Sequence, residues 1–276
     1  MHFVSRYLLV LLVFVAIPGA RAEGVLERAA ARGKLVAAAN PDALPLAARD
    51  AAGVLVGFDI EVAKEIAKRL QLPVTFVTPG WDAILRGDWG GKWDFSVSNM
   101  TPTEDRSRRL DFPSVYRFEA VVAVVHRDSG WALKPSDIKG KRVGVARGTT
   151  FEQYLMHDLT IYAGETPPDY QIEDPTIHRY PNKEKALKAL AQGDGAVVDA
   201  VVTSFATAEK AIDDGLPVKV VPGFLFWEPV AVAVEQGDED FSWRVEEVVE
   251  AMLDDGTLSA LSIKWFGLDM TAPVLP

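Results

Sequence analysis

Residues 99–112 read N-M-T-P-T-E-D-R-S-R-R-L-D-F and gather an amide, hydroxyls and three arginines into one short stretch. Its core, Thr101-Pro102-Thr103-Glu104-Asp105-Arg106, is equipped to hold an anion. A guanidinium presents a planar fork of N–H donors that matches a carboxylate, and neighbouring hydroxyls can complete the shell. The stretch follows Phe95-Ser96-Val97, an apolar run that reads as a buried strand. Loops at strand ends are where open α/β proteins hold ligands. Arg108 and Arg109 read instead as solvated surface charges.

Other chemistries find little support. The chain has no cysteine, which removes disulfides, thiolate catalysis, cysteine metal sites and a lipid-modified cysteine. Its four histidines, His2, His126, His157 and His178, show no ligand spacing, so neither a metal nor a cofactor is expected. Formal charge is −10, and about −12 without the first 22 residues, which carry Arg6 and Arg21. That sign opposes binding to nucleic acid or to anionic membrane surfaces.

The first residues read as an export signal. Arg6 precedes an apolar core at 8–17 and a small-x-small site, Ala20-Arg21-Ala22, which predicts cleavage after Ala22. An exported chain without a lipid anchor, most simply in a bacterial periplasm, is the expectation. The remaining residues, about 254, allow one large or two medium domains.

The elements that must position the loop alternate between strands and helices. Strands are predicted at 35–39 and 74–77, and an amphipathic helix at 59–70. There Val62, Ala63, Ile66, Ala67 and Leu70 recur at three and four, with Asp59 as its cap. A short helix follows at 81–86. Such strand–helix units imply parallel, right-handed βαβ connections with helices on both faces.

After the β-branched strand at 121–125 the pattern restarts. Strands are predicted at 142–146, 197–202, 218–221 and 230–234, a tight turn at 147–150, and a polar loop at 164–168. Helices are expected at 151–159, 183–192, 204–212, 243–253 and 258–266. The restart near 127 and a second change near 225 divide the chain into lobe one, 23–126 plus 225–276, and lobe two, 127–224.

The chain resembles the solute-binding proteins of ABC importers, in the family for polar amino acids. The matching residues are Gly57-Phe58-Asp59-Ile60, Trp81-Asp82-Ala83-Ile84, Gly91-Lys92-Trp93-Asp94, Met100-Thr101-Pro102-Thr103-Glu104-Asp105-Arg106, Val143-Gly144-Val145 with Gly148-Thr149, Val198-Asp199-Ala200-Val201-Val202, and Asp255-Gly256-Thr257 with Lys264-Trp265-Phe266-Gly267. Their common order and spacing make the resemblance specific.

The resemblance implies a type II periplasmic-binding-protein fold. This is a two-lobed α/β clamp, each lobe a mainly parallel sheet flanked by helices, with two hinge crossings. It implies a non-enzymatic, monomeric subunit that closes on an amino acid or related small carboxylate and docks on a membrane permease. By the same resemblance the ligand carboxylate falls on Arg106, on Thr101 with the backbone at Asn99, and on the turn Gly148-Thr149-Thr150. Trp81 stands where an aromatic stacks. The start of the helix after Thr150 also offers free N–H groups and a positive dipole end.

The sequence departs from the family pattern at the ligand's cationic end. Where members carry an aspartate for the α-ammonium, this chain has Ser204, which can cap a helix but cannot neutralise a charge. Asn40, Ala43 and Leu46 replace the usual first-loop residues. Either Glu228 or Asp42 reaches the ammonium, or the ligand has no α-amine. Two further functions stay open. One is a periplasmic enzyme resembling cyclohexadienyl dehydratases, with Glu228 as general acid. The other is a binding-protein-like accessory of a quinoprotein alcohol dehydrogenase, for which residues 40–45 speak.

Overall fold

The computed structural model describes residues 23–41, 44–161 and 168–273. The expected export signal lies outside the described residues, as do Asp42, Ala43 and most of the loop at 164–168. In chain order the first part contains α1 (Val25–Arg32), β1 (Leu35–Ala38), the hairpin β2 (Ala48–Arg49) and β3 (Leu55–Val56), α2 (Phe58–Arg69), β4 (Val74–Val77), α3 (Trp81–Leu85), β5 (Phe95–Met100), α4 (Glu104–Ser107), β6 (Leu110–Asp111) and β7 (Val115–His126). The second contains β8 (Arg142–Ala146), α5 (Thr150–Leu155), β9 (Thr176–Tyr180), α6 (Lys183–Leu190), β10 (Ala200–Ser204), α7 (Phe205–Asp213) and β11 (Val218–Val220). Then β12 (Phe226–Glu235), α8 (Glu239–Asp254) and α9 (Thr257–Phe266) complete the described chain.

The architecture is α/β with a mixed sheet ordered β4-β1-β5-β12-β7-β10-β8-β9. Both wings are parallel, as strand–helix alternation predicts: β1 lies parallel to β4 and β5, and β8 to β10 and β9. The centre is antiparallel because two long strands run from one wing into the other. Residues 115–121 of β7 pair with β12, and from Val121 onward β7 pairs with β10 and β11.

The unbroken β-branched run in β7 has a simple cause. Successive side chains point to opposite faces of a sheet, and both faces here are covered. Val121, Ala123 and Val125 pack with Val143, Phe151 and Tyr154, whereas Val122 and Val124 pack with Leu187, Leu190 and Ala208. A separate core joins Leu35, Phe58, Ile66, Phe95, Val230 and Val245 in the other wing. Each such fully buried side chain contributes roughly 1.5–3 kcal/mol of transfer free energy.

Several local readings need correction. Asp59 does not cap α2; it lies inside the helix, 2% exposed, and accepts a hydrogen bond from Tyr116 Oη at 3.0 Å. Gly57 holds the cap position, and the first helical N–H groups are satisfied by carbonyls, Phe58 by Pro45 at 2.9 Å and Asp59 by Leu46 at 3.1 Å. No side-chain cap is needed. The stretch 99–112 is not one loop, since Asn99 and Met100 finish β5 and Arg106 sits on the single-turn α4. The helix expected at 151–159 stops at Leu155, and His157 takes a left-handed φ of 57°. The strand expected at 197–202 runs from Ala200 to Ser204, which leaves Asp199 before it, bound to the Arg142 backbone N–H and guanidinium, each at 2.8 Å.

Candidate functional site

A cleft of about 560 Å³ opens between the wings, lined from one side by Asn40, Leu46, Asp59, Trp81, Asn99, Thr101, Arg106 and Glu228. The other wing supplies Thr149, Thr150, Phe151, Asn182 and Lys183. Local structure explains how Arg106 reaches it. Thr103 caps α4 by accepting from the Arg106 N–H at 3.3 Å, and one turn of helix folds the arginine back over the end of β5. Arg106 Nη1 donates to the Thr101 carbonyl at 2.7 Å, and Nη2 donates to the Gly148 carbonyl of the opposite wing at 3.2 Å. The guanidinium carbon stands 5.3 Å from the centre of the Trp81 ring, within cation–π range.

Burial lowers the pKa of Arg106 to about 10, with Glu228 and Asp105 opposing the shift, so the side chain is cationic at neutral pH. A buried cation facing a cleft is a strong receptor for a carboxylate.

Gly148 itself is set back from the lining. Its N–H is given to Glu152 Oε2 at 2.6 Å, and its carbonyl faces the other wing, accepting from Arg106 and from Trp81 Nε1 at 3.3 Å. Thr149 caps α5, and Thr150 Oγ1 donates to Glu228 Oε2 at 2.5 Å. Ser204 does not line the cleft. It is fully buried as the cap of α7, shares a 2.7 Å hydrogen bond with Thr207 Oγ1, and lies near Glu119, whose ionised form it favours.

Beneath the cleft lies a polar network that the sequence did not reveal. Asn99, at a left-handed φ of 53°, accepts from Arg117 through Oδ1 and donates to Glu119 Oε2 at 2.9 Å through Nδ2. Its backbone N–H meets Tyr116 Oη at 3.3 Å, and Tyr116 in turn donates to Asp59. Arg117 and Glu119 are both fully buried. Burial alone would raise the pKa of Glu119, but Arg117, Lys183, Asn99 and Ser204 outweigh it and hold the carboxyl below its ordinary range. For Glu228, burial and then the nearby Glu119 charge push the carboxyl up. Burial also lifts Asp59 to about 6 against the opposing Arg117 charge.

Among the lining residues, Asp59 was read only as a helix cap and Lys183 was not named as a candidate for the site. Asp59 carried a usable signal as an acid directly after Gly57-Phe58. Lys183 follows the cap Asn182 just beyond β9, a strand end in a parallel wing, which is the same kind of position that made 99–112 conspicuous.

Comparison with known proteins agrees with this architecture. The model of the bacterial extracellular solute-binding proteins, family 3, matches residues 35–268. An L-cystine-binding protein of Escherichia coli (strain K12) is 27% identical over 251 residues, 90% of this chain and 88% of its own length. An ancestral arginine-binding protein bound to arginine aligns in structure with a TM-score of 0.71 at 33% identity, covering 86% of this chain and 99% of that one. An ancestral amino acid-binding protein, a precursor of cyclohexadienyl dehydratase, aligns with a TM-score of 0.73 at 28% identity, covering 88% of this chain and 99% of that one. A match that runs from β1 past the end of α9, over a fold shared along its length, means that the chain belongs to the bacterial extracellular solute-binding proteins, family 3.

Proposed function

We propose that this protein is the periplasmic binding subunit of an ABC importer, monomeric and exported, which captures an amino acid in the cleft and presents it to a membrane permease. The observation that carries the reading is Arg106, a buried guanidinium facing a cleft walled from both wings. In this proposal the ligand carboxylate takes the Arg106 fork, with Thr101, Thr149 and Thr150 around it, Asn99 shaping the wall, the Gly148 carbonyl holding Arg106 from behind, and Trp81 stacking on the ligand. Residues 23–126 with 225–276 and residues 127–224 are the two lobes that close, bending where β7 and β12 pass between wings. Ligand-driven closure of this sort is a hinge motion. Charge-assisted hydrogen bonds contribute roughly 1.5–3 kcal/mol each, so a few suffice for micromolar affinity at about 8 kcal/mol.

A thermal-shift screen of the mature protein against amino acids and simple carboxylates tests the proposal, because a ligand that binds only the folded form raises its apparent stability. No shift with any of them sinks it. Glu228, a buried acid with a raised pKa in the cleft, supports a second reading as a dehydratase. Incubation with prephenate and arogenate, and no aromatic product, removes that reading.

A further inference from the structure

An acid pair, Glu228 in the cleft wall and Glu119 beneath it, is not used in recognition of a carboxylate. Glu119 and Glu228 are direct register partners on β7 and β12, the two strands that pass between wings. Both are buried, 0% and 2% exposed, but they are satisfied differently. On Glu119 one oxygen, Oε2, receives Asn99 Nδ2 at 2.9 Å and Arg117 Nη2 at 3.4 Å, the Ser204 hydroxyl lies nearby, and Oε1 has no hydrogen-bond partner among the described residues. Glu228 is met by hydroxyls, Thr150 Oγ1 at 2.5 Å and Thr101, and forms no salt bridge among the described residues. One carboxylate has a cation at salt-bridge distance, whereas Lys183 and Arg106 act on the other only from further away.

Ser204 completes the pattern. It pairs in register with Val121 on β7, two residues from Glu119, and its hydroxyl is bonded to Thr207 and lies close enough to Glu119 to favour that residue's ionised form. An aspartate at 204 would press another carboxylate against Glu119, where like charges in a poorly hydrated site repel strongly. A hydroxyl at 204 and an acid at 119 therefore belong together. The negative charge of the site stands on the crossing strands, not at the start of α7.

Thr101 brings the two groups together. Its carbonyl receives Arg106 at 2.7 Å and its side chain meets Glu228, so the guanidinium and the free acid flank one residue.

We propose that Glu228, supported by Glu119 and by Ser204 behind it, is the counter-charge for the ligand's α-ammonium, so that the cleft selects zwitterionic α-amino acids over the same acids lacking the amine. This inference rests on the amino-acid-binding reading above.

The test is calorimetric titration of the mature protein with the standard L-amino acids and L-cystine, each hit being repeated with its desamino analogue. Wild type is expected to bind the desamino acid about 10- to 100-fold more weakly, the range of one charged hydrogen bond. Glu228→Gln, nearly isosteric and still an acceptor for Thr150, should lose a similar factor for the amino acid and stay within about threefold for the desamino acid. Equal wild-type affinity for both compounds overturns the inference, and this comparison needs no variant to fold. Equal losses in Glu228→Gln, or none, overturn it as well. Absence of binding by wild type to every compound instead overturns the amino-acid-binding reading itself.

Discussion

Arg106 Nη2 and the Gly148 carbonyl lie 3.2 Å apart across the cleft, and Trp81 Nε1 reaches the same oxygen at 3.3 Å. One backbone oxygen of the second wing is thus gripped by two side chains of the first. With its other nitrogen on Thr101 and its face toward the indole, the guanidinium is oriented before any ligand carboxylate meets it. Such preorganisation reduces the ordering cost of binding.

Arg106→Ala should therefore weaken amino-acid binding by about 100-fold or more, the loss of two charge-assisted hydrogen bonds at roughly 1.5–3 kcal/mol each. Arg106→Lys keeps the charge but not the planar fork, and should recover only part of that loss. Calorimetric titration measures the affinity, and circular dichroism melting establishes that each variant is folded. Undiminished affinity in a folded Arg106→Ala protein would remove the arginine from the site.

Trp81 contributes a ring face and one N–H donor, and two substitutions separate them. Trp81→Phe retains a face for stacking but loses the bond to Gly148, so a loss of about threefold to tenfold is expected for a neutral hydrogen bond of roughly 1 kcal/mol. Trp81→Ala removes the face as well, and should cost at least another about fivefold. Titration of both variants with the same amino acid checks the order. Equal affinities would assign Trp81 to packing alone.

How much of this was legible depends on how local the cause is. Arg106, Thr101 and the turn before α5 were readable because a cap, a strand end and the following helix lie within a few residues of each other. Asn99 was readable as a loop amide, but its work is to join Arg117 and Glu119, which sit on a strand about twenty residues later and reach it only once β7 has paired with β12. The place of Ser204 was hidden for the same reason: register against Val121, a non-local fact, turns it toward Glu119 and away from the cleft lining. Helix α1 was passed over because it is only two turns long and buries just Val25 and Ala29, although its apolar and polar residues separate cleanly onto two faces.

Asp59 gives the protein a pH-dependent stability with a definite sign. Its folded pKa is raised from 3.8 to about 6, chiefly by burial, against the opposing charge of Arg117. The folded state therefore holds this proton more tightly than the unfolded chain. The contribution is fully present below about pH 4 and is lost as pH rises through about 6. By linkage the loss approaches roughly 3 kcal/mol. Asp59→Asn, which preserves an acceptor for Tyr116, should be more stable than wild type at pH 8 by a large part of that amount and nearly equal to it at pH 4. Urea denaturation of both proteins at the two pH values measures this, and an unchanged pH slope in the variant would exclude Asp59 as its source.

Gly57 tests whether the first loop is positioned by backbone contact. Its φ is 129°, and a Cβ there would lie 2.3 Å from the Leu46 carbonyl oxygen and 2.9 Å from Ala47 Cα. Neither backbone atom can retreat without moving the loop that carries Asn40 and Leu46 into the cleft and supplies the carbonyls that cap α2. Gly57→Ala should destabilise the protein by about 2–4 kcal/mol, combining backbone strain with displacement of packed backbone. In a chain of this size that is a fall in Tm on the order of 5–15 °C. Gly53→Ala is the matched control, because φ is also positive there, 78°, but nothing lies within 4 Å of the added carbon. It should cost only about 1 kcal/mol of left-handed strain. Because the clash at Gly57 is with the loop and not with Arg106, its affinity loss should be similar for an amino acid and for its desamino analogue. Parallel melting curves and titrations of the two alanine variants check the stability and affinity effects, and equal Tm values would show that the close approach of Gly57 to Leu46 is not what fixes the loop.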